Sequence, residues 1–126
     1  MLRAPLFDGG RRDARRQEST SQLRQERIRR HDLEQQIELE VRLALDALRS
    51  AEEQVKVAEE GLTLTQEEVA QAQRRYQAGV TSSLEITDAQ TRLERARENR
   101  IAALFSYHAA RIDLGQAMGA IRRMIQ

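Results

Sequence analysis

The sequence contains no cysteine, which excludes disulfide staples and thiolate metal sites. Proline occurs once, at Pro5, so nothing beyond it removes a backbone donor from a helix. Aromatic residues make up only 3% of the 126 residues, and tryptophan is missing. A thick core needs bulky apolar side chains, so this chain suits a thin one. No stretch approaches the ~20 apolar residues of a membrane-spanning helix. The opening "MLRAPLFDGG" lacks the long apolar segment of a signal peptide. Lysine is nearly missing too, with Lys56 alone against twenty arginines. We read that bias as genome composition, since solvated helix faces accept either residue. A net charge of +1 argues against a general polyanion binder.

What is present favours helix. Charged residues reach 33%, and arginine, alanine, leucine, glutamate and glutamine are the commonest residues. From Val41 the apolar positions alternate steps of three and four: Val41, Ala44, Leu48, Ala51, Val55, Ala58, Leu62, Thr65, Val69, Ala72 and Tyr76. That spacing is the seam of a coiled coil, and Ile37 extends it backward by one step. Gly61 is the one weak point in this arm. A second seam follows the same rule: Ile86, Ala89, Leu93, Ala96, Arg100, Ala103, Tyr107, Ala110, Leu114, Ala117 and Ile121. Arg100 alone interrupts its apolar character. Ile101, Leu104, Phe105, Ile112 and Met118 add a second apolar flank, and a helix with two flanks can touch more than one neighbour. Both seams are rich in alanine. They bury little area per turn, so further helices are expected to complete the packing.

The arms meet at "RRYQAGVTSSLEITDAQ", residues 74–90. Arg74 and Arg75 suit the last turn of a helix, where cations favour the dipole. Gly79 is a natural left-handed terminator. Ser82-Ser83-Leu84-Glu85 has the form of a capping box, with Ser82 as N-cap and Glu85 three residues on. A linker of about five residues makes the helices antiparallel neighbours. The expected fold is all-α: a long antiparallel coiled-coil helical hairpin with unequal arms and a short extended segment at the N-terminus. The expected organisation is an extended segment over 1–10, a long first helix over 11–77, a hairpin tip over 78–82, a returning helix over 83–119 and a tail over 120–126.

Several chemistries find no support. Arg11, Arg12, Arg15, Arg16, Arg24, Arg27, Arg29 and Arg30 form a basic stretch. It has no interleaved aromatics, and Asp13, Glu18 and Glu26 interrupt it, so a solvated helix face is expected instead of a nucleic-acid arm. His31 and His108 lie in different helices with no metal-ligand spacing. Thr81, Ser82 and Ser83 have no histidine or lysine near them in sequence. No catalytic constellation, metal site or cofactor is expected.

Three segments, "PLFDGGRR" at 5–12, "RYQAGVTSSLEITDAQTRL" at 75–93 and "YHAARIDLGQAMG" at 107–119, together resemble the outer-membrane efflux protein family, the TolC-like channel tunnels. In that family an extended strand enters a long periplasmic helix, which turns at a tip and returns. The resemblance covers the chain and places it in the second of the family's two repeats, as a fragment or truncated form. It implies a hairpin of the periplasmic tunnel of an efflux channel. The parent would be a homotrimer of the outer membrane and periplasm, working passively with a periplasmic adaptor and an inner-membrane pump. It implies no enzyme activity and no nucleic-acid partner. Ala78, Gly79, Val80, Thr81 and Ser82 would form the adaptor-docking tip. Tyr76, Glu85 and Asp88 match positions at the aperture or gate, where acids repeated about a three-fold axis attract cations. Thr81 departs from the compared family member, which has arginine there, so a salt-bridge lock through that position lacks its cation. The competing expectation is a stand-alone soluble coiled-coil interaction module. The hairpin of an adaptor protein fits less well, because adaptors flank theirs with lipoyl-like β segments not seen here.

Overall fold

A computed structural model of the chain describes residues 9–125. Among them there are two helices and no strand. α1 spans Gly9–Gln77, 69 residues, and α2 spans Ser83–Ile125, 43 residues. The expected all-α hairpin with unequal arms is what forms. Residues 1–8 of the expected extended segment lie outside the described residues, while Gly9 and Gly10 already belong to α1. α2 also continues past Gly119 to Ile125, through most of the expected tail. Two glycines do not stop it, because each costs only about 1 kcal/mol in a helix interior. Ala120, Ile121 and Met124 gain partial burial by staying helical, and Arg122 and Arg123 suit the final turn. No helix among the described residues is long and apolar enough to cross a membrane.

The described residues up to Leu39 form one unit and those from Glu40 onward form another. In the first unit the described residues are helical, and side chains from Gly10 to Gln36 are exposed. Its helix is held by local bonds. Arg30 pairs with Glu34 one turn on at 3.5 Å, and the Thr20 hydroxyl donates to the Arg16 carbonyl at 2.7 Å. An exposed ion pair one turn apart contributes a few tenths of a kcal/mol.

The second unit holds the two seams. Every α1 seam position from Val41 to Ala72 is buried or half-buried, as is every α2 seam position except Arg100. The fully buried side chains are all alanines: Ala51, Ala72, Ala89, Ala96 and Ala103. Each contributes on the order of 0.8 kcal/mol, the value of one buried methyl-sized group. The fit is close but thin.

Two polar seam residues are accommodated in different ways. The Thr65 hydroxyl donates back to the Gly61 carbonyl at 3.0 Å and the Leu62 carbonyl at 2.9 Å, so its polar atom is satisfied within its own helix. Arg100 leaves the seam and reaches Glu59 of α1 at 4.0 Å.

Ion pairs across the seam mark the register of the two arms. Arg75 lies 3.5 Å from Glu85, and Arg92 Nε donates to Glu68 at 3.1 Å. Seven residues back along α1 is seven forward along α2, one heptad in each arm. Counted from these pairs, Ala72 falls within one residue of Ala89, and Ala58 within one residue of Ala103. Small residues therefore meet small residues, which lets the helices approach closely.

Candidate functional site

The tip is built by the end of α1. Gln77 is its last helical residue, and Gly79 has φ +74°, the left-handed conformation that side chains rarely adopt. The Gly79 N–H donates to the Tyr76 carbonyl and the Val80 N–H to the Arg75 carbonyl, both at 3.0 Å. These two bonds form the Schellman motif, which satisfies carbonyls that a helix end leaves orphaned. A hydrophobic contact between the residue after the glycine and the helix frequently accompanies it. Here the position it would meet is Arg75, and Val80 stays 68% exposed.

α2 starts differently from the sequence-based expectation. The Glu85 N–H donates to the Ser82 carbonyl at 3.2 Å, and the Ser82 hydroxyl makes no hydrogen bond among the described residues. The reciprocal capping box does not form. The Glu85 carboxylate instead accepts from the Thr81 hydroxyl through Oε2, while Oε1 faces Arg75 Nη1. A cation outcompetes a neutral amide for a carboxylate, which is why the side chain turns toward α1.

The structure brings some of the expected site residues together and separates others. Ala78, Gly79, Val80 and Ser82 are exposed along the turn, and Thr81 is half-buried beneath Glu85. Tyr76, expected on the seam, is exposed, because the chain leaves the helix two residues later. Glu85 and Asp88 differ in environment. Glu85 is half-buried and doubly engaged, whereas Asp88 is exposed with no hydrogen bond or ion pair among the described residues. Sequence reasoning missed Arg75 as a partner of Glu85. The signal was available: opposite charges stand equidistant from the turn at 75 and 85, and again at 68 and 92.

Away from the tip, a groove of about 610 Å³ runs along one side of the hairpin. Ser50, Ala58, Gly61, Ala96, Ala102 and Ser106 are among the residues that line it. On α2, His108 packs edge-on to Tyr107, with centroids 5.6 Å apart, and the Arg111 guanidinium lies 5.8 Å from the Tyr107 ring. His31 and His108 are both exposed. No three histidines or acids cluster among the described residues.

A thin alanine-seamed hairpin, closed by a small-residue turn and carrying apolar side chains it does not bury, is an element built to pack within a larger helical assembly. Residues 1–120 match the outer membrane efflux protein family, and the chain belongs to that family. No curated protein and no solved structure matches it. Proteins of the family are channels of the outer membrane and periplasm, not enzymes. They form trimers and generally work with adaptor proteins and inner-membrane pumps.

Proposed function

We propose that this hairpin belongs to the periplasmic tunnel of a trimeric efflux channel, and that its tip, residues 78–82, docks a periplasmic adaptor. Substrate passes from an inner-membrane pump through the adaptor and moves passively along the tunnel. Tyr76 and Asp88 sit beside the tip as aperture residues, and Asp88 carries the free negative charge. Thr81 takes no part in a salt-bridge lock, since its hydroxyl serves Glu85.

The observation that carries this reading is the exposed turn. The Schellman bonds fix the backbone at Gly79 and Val80, yet the Val80 side chain stays 68% exposed. Small side chains at Ala78 and Gly79 let another backbone come close. A preorganised turn loses little conformational entropy when it docks.

The test uses the full-length protein. Gly79→Trp fills the docking surface, and an added Cβ meets no atom within 4 Å, so the first side-chain carbon causes no clash. The left-handed backbone strains any side chain by roughly 1–2 kcal/mol, which Gly79→Ala shares without the bulk. We expect Gly79→Trp to abolish efflux with trimer assembly intact, and Gly79→Ala to retain most of it. Normal efflux in Gly79→Trp removes the docking claim.

A further inference from the structure

We propose that Arg75, Thr81 and Glu85 form a clamp across the tip, which makes Glu85 a positioning residue for the turn instead of an aperture acid. The clamp matters functionally only if the tip docks a partner, so its purpose rests on the reading above. Its existence is tested separately.

Arg75 is tied to both sides of the turn. Its carbonyl accepts the Val80 N–H at 3.0 Å, and its guanidinium lies 3.5 Å from Glu85 Oε1. Glu85 Oε2 accepts from the Thr81 hydroxyl. One residue of α1 therefore holds the start of the turn through its backbone and the start of α2 through its side chain. Thr81 joins the two from inside the turn. The side chains of residues 78–80 take no part in these bonds and are exposed.

The charges reinforce the arrangement. Arg75 lies in the last turn of α1, where a cation is favoured, and Glu85 in the first turn of α2, where an anion is favoured. Each helix end thus prefers the charge that its partner needs. Asp88, one turn further along α2, has no partner among the described residues. Two acids that look equivalent in sequence have different roles, and a trimer presents one free carboxylate per chain at this level where two were expected.

The test is amide hydrogen exchange by NMR on the 126-residue chain, without adaptor. The reporters are the Gly79 and Val80 amides, with the Leu62 amide as a control for the seam. Arg75→Ala and Glu85→Ala should each speed tip exchange about 1.5- to 5-fold, the range for a partly exposed ion pair. The double variant should be no faster than the faster single one, as expected for two residues of one network. Glu85→Asp keeps an acid at the helix start but shortens its reach, so it should speed exchange as Glu85→Ala does. Arg75→Lys should remain near the unmodified rate, and so should Asp88→Ala. Multiplicative effects in the double variant overturn the clamp. So does an unmodified rate in Glu85→Asp, which reduces Glu85 to a dipole partner. Because no adaptor is present, loss of the clamp leaves docking standing, and loss of docking leaves the clamp standing.

Discussion

Gly61 and Ala89 show how single side chains set the stability of a thin seam. Gly61 sits in the interior of α1 at a half-buried position, and a Cβ added there meets nothing within 4 Å. Gly61→Ala should therefore stabilise the chain by about 1 kcal/mol, through helix propensity alone. Ala89 is the opposite case, with only 1% of its surface exposed where the helices approach closely. Ala89→Leu should destabilise the hairpin by about 1–3 kcal/mol, because the added bulk forces the arms apart. Thermal melting followed by circular dichroism measures both. A lower midpoint in Gly61→Ala would mean that the glycine serves a contact within the chain, and an unchanged midpoint in Ala89→Leu would mean that the seam is loose. Cross-arm ion pairs are secondary at this scale. Those at Arg75, Arg92 and Arg100 are all partly exposed and contribute about 0.2–1 kcal/mol each.

At the scale of the helices, one face of α2 is spoken for and another is not. Ala89, Ala96 and Ala103 are buried against α1, while Ile101, Phe105 and Ile112 lie on the far side and are exposed, Phe105 at 76%. Both faces could be read from spacing. The seam repeats every 3.5 residues, and the flank residues fall between its positions. Antiparallel pairing was also readable, from glycine and serine in a short linker. The details of the tip were not. A local capping pattern placed the Ser82 hydroxyl on α2, but the Glu85 side chain was drawn to Arg75, ten residues away in sequence and close in space. Local motifs describe one helix end at a time, and this site is made by two. The end of α2 was misplaced too. The helix runs through Gly115 and Gly119 to Ile125, and Ile121 and Met124 are partly buried there. The exposed flank makes its own prediction. Phe105→Glu should leave helix content unchanged and lower self-association of the chain, measured by sedimentation velocity across a concentration series. Unaltered association would place the contact on another face.

For the molecule as a whole, burial is small and exposure is large. Five alanines are buried among the described residues, against sixteen large apolar side chains that are exposed. A chain of this kind gains from neighbours, which accords with a family whose members assemble as trimers. The tip is where that assembly would meet a second protein. The chain has no cysteine, so a single one introduced into it reports contact without background from this segment. The most direct measurement is crosslinking of the full-length channel to its periplasmic adaptor from three such positions: Ala78→Cys and Val80→Cys at the tip, and Phe105→Cys on the flank. Docking through residues 78–82 requires adaptor crosslinks from the two tip positions and none from Phe105. Crosslinks from Phe105 alone, with none from Ala78 or Val80, would contradict it.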